Sequence, residues 1–251
     1  MQEKLCTTVI TGTGSEENSW EPVKRVLKKH YGQFPENDPN YIFADLINRL
    51  RWLHYQASHP LKKELSERAV EAYFRILTFY ETIKTDICEE LRISTENKEI
   101  KLRSYIDCIE REYVDENTNF ITTNWDLLLE KRFKNIYHLH GTVENPQSLF
   151  LPSESIEEYF RPLNSFLAKM YGSVMNIVVP KTERLIVYGL SLNALDSEVG
   201  LVIEDGFTSV TTLSEVVIID INPEKVMEKI NLCFRRLDPK PKIMLRNPDQ
   251  V

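Results

Sequence analysis

The chain has 251 residues, 42% of them hydrophobic and 27% charged, the balance of a folded globular protein with one large core and a composition that excludes disorder and solenoid repeats. A net charge of -7 and a sequence pI of about 5.4 argue against nucleic-acid binding through a broad basic face. The longest apolar runs, such as "SEVVIIDI" at 214–221, fall far short of the roughly 20 residues of a membrane span.

The opening "MQEKLCTTVI" carries no basic segment followed by an apolar signal core. Cys6, Cys88, Cys108 and Cys233 are widely separated, with no C-x-x-C pair. A reduced, cytoplasmic chain without a metal site is expected.

In chain order, "LCTTVIT" (5–11) reads as a first strand running into the glycine turn Gly12-Thr13-Gly14-Ser15. "SWEPVKRVLKKHYG" (19–32) reads as a helix, with Pro22 in its first turn and Gly32 at its end. Its basic run at 24–30 reads as a solvated face, with a local basic patch as the alternative. Residues 35–116 then show helical spacing, in stripes through Phe43, Leu46, Ile47 and Leu50, through Ala69, Ile76, Ile83 and Ile87, and through Ile100, Tyr105, Ile106 and Ile109. This block is expected to be a helical insertion.

Beyond it, "FITTN" (120–124), "IYHLHG" (136–141), "RLIVYGLS" (184–191) and "VVIIDIN" (216–222) are continuous apolar runs, as parallel strands covered on both faces require. Helical segments are expected between most of them, over "NWDLLLEKRF", "SIEEYFRPLNSFLAKMYGSV" and "LDSEVGLVIEDG", and "KVMEKINLCFRRL" follows the last. Ser155 and Glu158 match a capping box. The expected fold is therefore α/β: a Rossmann-like open, mainly parallel, doubly wound sheet formed by 1–34 and 117–251, with 35–116 inserted.

In such sheets, ligands bind beyond the C-terminal ends of the strands. Those ends carry Gly12, Thr13, Gly14 and Ser15; Thr122, Thr123, Asn124 and Asp126; His140 and Gly141; Gly189 and Ser191; and Asn222. The glycine turn can bring backbone N–H groups to a diphosphate or be an ordinary turn. Asn124 can align a sugar hydroxyl or a water, or cap a helix. His140 can act as a general base, whereas His138 reads as structural, and His30, His54 and His59 as packing. Asn222 can bond a ribose or cap the helix after it.

Taken in order, "TGTGS", "ITTNWDLLLE", "HLHG", "IVYGLSLNALDSEV" and "VIIDINPE" resemble the sirtuin-like NAD-binding superfamily, in particular its divergent bacterial branch. The resemblance covers about residues 5–20 and 118–226. It implies an NAD ligand or substrate, with Gly12, Thr13, Gly14 and Ser15 in the phosphate loop, Thr123, Asn124 and Asp126 at the nicotinamide ribose, His140 as the catalytic histidine, and Gly189, Ser191 and Asn222 around the nucleotide. Asp126 could stabilise a developing ribosyl cation or cap a following helix.

The four-cysteine zinc module of protein-deacylating sirtuins is missing, so no zinc is expected. Relatives without it include NAD glycohydrolases that act in antiphage defence, and NAD hydrolysis is the leading expectation. A nucleotide-sensing module and an interaction protein with a degenerate pocket are the alternatives, and a homo-oligomer or protein partner is left open. The pair Glu16-Glu17, where the family has small residues, would repel a diphosphate if turned inward and favour a helix N-terminus if turned outward.

Overall fold

The computed structural model describes residues 5–35, 39–59, 63–155, 158, 160, 165–193, 197–208 and 212–250. Six strands form one parallel sheet: β1 (Thr7–Thr11), β4 (Asn119–Thr122), β5 (Ile136–His138), β6 (Arg184–Tyr188), β7 (Glu215–Ile219) and β8 (Lys242–Arg246). Their spatial order is β5-β4-β1-β6-β7-β8. Numbered by appearance in this sheet, the order is 3-2-1-4-5-6, that of a Rossmann-like doubly wound fold. The chain order reverses beside β1, so a crevice opens between the ends of β1 and β6.

Alternation along the strands covers both faces. Ile10, Ile121, Val187 and Ile218 point into one cluster with Val202, Ile203 and Phe207 of α6 (Ser197–Thr208) and Val226 and Ile230 of α7 (Pro223–Cys233). Their neighbours Val9, Phe120, Ile186 and Val217 point into the other, with Tyr105, Ile106 and Ile109 of α4 (Tyr105–Tyr113). Each such fully buried aliphatic side chain contributes about 1.5–3 kcal/mol. Register is consequently fixed, with Val9 opposite both Phe120 and Ile186, since a slip by one residue would turn every apolar side chain to the wrong face.

Helix α1 (Glu21–Tyr31) has Pro22 in its first turn, and its C-cap Gly32 is at φ 71°. It packs with α2 (Pro39–Ser58) and the 34-residue α3 (Lys63–Glu96) in a third cluster built on Leu27, Phe43, Leu50, Ile83 and Ile87. Of the helical stretch after residue 35, α2 and α3 pack in this way, while α4 covers the sheet. The strand β3 (Lys101–Leu102) returns to pair antiparallel with β2 (Glu16–Glu17), immediately after the glycine turn.

Several expectations change. Residues 125–133 form successive turns and no α-helix. Asp126 Oδ1 accepts from the N–H of Leu128 at 2.9 Å, a local bond of the kind that competes with helix formation. Asp126 therefore caps a turn, with no helix after it. Asn222 precedes α7 but makes no side-chain cap bond. The expected helix over 155–174 is seen as α5 (Ser165–Ser173), continued by a π-helical turn at Val174–Val178; residues 156, 157, 159 and 161–164 lie outside the described residues, as do 194–196 before α6. The Ser155 N–H donates to Glu158 Oε1 at 3.2 Å, one half of the expected capping box. No described helix is long and apolar enough to cross a membrane.

Candidate functional site

The glycine turn and the end of β6 meet in backbone contact. Gly14 N–H donates to the carbonyl of Gly189 at 2.9 Å, and Gly12 N–H to that of Tyr188 at 3.2 Å. Gly189 has φ +59°, and a Cβ there would lie 2.2 Å from Ser15 N. Only glycine fits this crossing. Ser15 N–H donates to Gly12 O at 2.9 Å, and its hydroxyl to the same oxygen at 2.7 Å. The N–H groups of Gly12, Gly14 and Ser15 are thus paired within the protein, and Thr13 between them is exposed.

Two clefts lie on either side of this crossing and share Thr13, Gly189, Ser191 and Asn193. The first, of about 970 Å³ out to solvent, brings together Thr123, Asn124, Asp126 and His140 under walls formed by Trp20, Trp125, Phe150 and Leu151. The second, of about 1560 Å³, holds Gly14, Tyr105, Tyr188, Asp220 and Asn222, with Arg103 and Lys225 as cations. Lys229 borders it as well, but its ammonium donates to Ser191 O at 2.5 Å. The sequence-derived candidates are therefore divided between two adjoining clefts along one crevice, except Gly12 and Ser15, which support the crossing beneath.

Asn124 is 4% exposed. Its Nδ2 donates to Glu16 Oε1, with Gly12 O at 3.4 Å as a weaker second acceptor. Its backbone is clamped from two sides: the N–H by Thr122 Oγ1 at 3.1 Å and the carbonyl by His138 Nδ1 at 2.8 Å. His138 is buried on β5, with Nε2 2.5 Å from Glu130 Oε1, so its role is structural. His140, two residues on, lines the first cleft and stacks on Phe150 with centroids 5.4 Å apart. Gly141 follows at φ +77°, where a Cβ would meet the carbonyl oxygen of Ser148 at 2.0 Å.

Glu16 turns inward and is 2% exposed, while Glu17 lines the second cleft and pairs with Lys101 at 3.0 Å. Burial pushes the Glu16 carboxyl well above the ordinary carboxylate range, and the adjacent Asp126 charge pushes it the same way. Burial raises Asp126 too, opposed by the Leu128 N–H, the Glu16 carboxyl and His138. Both shifts run toward the protonated form, and in Glu16 burial and the neighbouring charge act together.

Among the described residues, Glu16 Oε2, Asn40 Oδ1, Asn124 Oδ1 and Trp125 Nε1 are buried without a hydrogen-bond partner, and all four residues line the first cleft. The Tyr188 hydroxyl at the second cleft is likewise without a partner; buried polar atoms are nearly always paired, and an ordered water or a polar ligand would complete the bonding at such places. Trp125 was legible beside Asn124 in the sequence, but Asn40, Trp20 and Phe150 carry no motif that points to a cleft. Among the described residues no group of three or more His, Cys, Asp or Glu is placed to hold a metal ion. No protein-family model matches the chain, and no curated protein or solved structure matches it either.

Proposed function

We propose that the crevice binds NAD across the β1/β6 crossing and that the chain hydrolyses its nicotinamide–ribose bond. The observation that carries this reading is the set of unpaired buried polar atoms in the aromatic-walled first cleft. Two amide oxygens and one indole N–H match a flat ring bearing a primary carboxamide, next to a sugar hydroxyl. The second cleft, with Tyr105, Asn222, Arg103 and Lys225, suits the adenosine and its phosphates, and Thr13 sits between them.

On this reading the reaction adds water to the ribose C1′ while the C1′–N bond breaks. Nicotinamide leaves as a neutral base with the bonding electron pair, and one proton is released from the water. The Asn124 Oδ1 orients the ribose or the water, His140 accepts the proton, and the Asp126 carboxylate faces the positive charge that develops on the sugar. The walls formed by Trp20, Trp125 and Phe150 exclude bulk water. NAD depletion would then be the biological output, which the resemblance to the divergent sirtuin-like branch associates with defence against phage.

The test is calorimetric titration with NAD and with ADP-ribose, alongside chromatography of nicotinamide, for wild type and Asn124→Ala. Binding of both ligands with release by wild type alone supports hydrolysis. Saturable binding without release favours a nucleotide sensor, and no binding of either ligand rejects the reading.

A further inference from the structure

The glycine turn is followed by a buried carboxyl group placed between the two polar side chains that end β4. Glu16 reaches this position because β2 pairs with β3, which sets Glu16 opposite Leu102. Arg103 fixes the same segment, its N–H donating to Ser15 O at 3.0 Å and its Nε–H to the Glu16 carbonyl at 3.1 Å. The side chain then has one oxygen on the Asn124 amide and the other without a donor, beside Asp126.

An amide has two ends, and which end faces a ligand decides what it can recognise. Because Glu16 Oε1 and Gly12 O both accept from Asn124 Nδ2, the amide oxygen is turned away from them and is left unpaired. We infer that Glu16 is a positioning residue which, as an uncharged carboxylic acid, holds Asn124 with its Oδ1 toward the ligand and donates its own proton to Asp126. This rests on the proposed NAD site and adds to it the residue that sets the donor and acceptor pattern there.

The arrangement gives each group one role. Protonated Glu16 accepts from Asn124 on one oxygen and donates to Asp126 from the other, which removes the unpaired atom. The Leu128 N–H and His138 favour the charged form of Asp126 against its burial. An ionised Glu16 would set two carboxylates side by side and leave one oxygen without a donor. The titratable and charged groups around Glu16 are Asp126 and, behind it, His138 on the β4 and β5 side, His140 in the cleft, and Arg103 on the β3 side.

The sign of the pH effect follows. A carboxyl whose folded-state value is raised stabilises less as pH rises from the ordinary Glu range, about 4.3, toward its raised value. Glutamine has the shape of protonated Glu and cannot ionise. It accepts from Asn124 through its oxygen and donates to Asp126 through its nitrogen.

The experiment compares wild type, Glu16→Gln and Glu16→Ala by thermal melting without ligand across about pH 5 to 9, and by NAD affinity at both ends of that range. The expected result is that the melting temperature of wild type falls relative to Glu16→Gln as pH rises. Glu16→Ala should bind NAD about tenfold more weakly than wild type at the acidic end, the loss of about one hydrogen bond, and Glu16→Gln should recover most of that loss. Toward alkaline pH, wild type should lose affinity and Glu16→Gln should keep it. Parallel melting curves for wild type and Glu16→Gln overturn the proposal, as does an affinity loss in Glu16→Gln equal to that in Glu16→Ala. Diverging melting curves with no NAD binding by any variant support the neutral carboxyl and reject the NAD reading, which separates the two failures.

Discussion

His138 donates from Nδ1 to the backbone carbonyl of Asn124 at 2.8 Å, so the histidine on one strand holds the main chain of the residue that ends its neighbour. His140, in the turn two residues later, lies in the cleft instead. The two histidines should therefore fail differently. His138→Ala leaves a buried carbonyl and Glu130 without their partner and is expected to cost about 1–3 kcal/mol of stability in urea unfolding. His140→Ala should unfold within about 1 kcal/mol of wild type while losing nicotinamide release. Equal stability losses in both would contradict the assignment.

Two glycines provide a second contrast. At Gly189, a methyl group would collide with Ser15 N in a left-handed backbone conformation, whereas at Gly200, inside α6, it meets nothing within 4 Å. Gly189→Ala should destabilise by at least about 1–3 kcal/mol, and Gly200→Ala should stabilise by about 0.5–1 kcal/mol. Denaturant midpoints with unchanged slopes would read both effects, and a neutral Gly189→Ala would contradict the close crossing of the two loops.

The helices after α1 are tied to the cleft wall through a buried ionic group. Lys84 on α3 lies 3.1 Å from Glu154 Oε1, and the Tyr80 hydroxyl bonds with both. Glu154 also accepts from the N–H of Leu151, a cleft residue. Lys84→Met strands a buried carboxylate and should cost about 3–5 kcal/mol, with the double variant Lys84→Met/Glu154→Gln costing less than the sum of the single changes. Strict additivity in a double-mutant cycle would contradict a coupled pair.

Trp20 and Trp125 line the first cleft with ring centroids 6.4 Å apart, whereas Trp52 is 59% exposed on α2. NAD should change the intrinsic fluorescence in a saturable way. Trp125→Phe keeps most of the aromatic wall but removes the unpaired indole N–H, so affinity should fall by about twofold to tenfold, the worth of one hydrogen bond. Unchanged affinity would show that this donor is not used.

The central strands were readable because burial on both faces makes them continuous apolar runs, as in "RLIVY" and "EVVII". The edge strand β8, "KIMLR", was not expected, since its half-buried pattern with Lys242 and Arg246 at the ends lacks that signal. The three leucines at 127–129 suggested a helix, but the local bond from Leu128 N–H to Asp126 organises turns there. The strand ends Asn124 and His140 were legible as a polar set. The inward turn of Glu16 was not, because it depends on pairing with a strand some 85 residues later, and Asn40 enters the cleft from a helix with no motif of its own.

The most direct measurement is a time course of nicotinamide release from NAD by purified wild type and His140→Ala, followed by chromatography. Release by wild type that is lost in a folded His140→Ala is the expected result. Intact NAD after prolonged incubation with wild type, or equal release by both proteins, would contradict the proposed hydrolysis at this site.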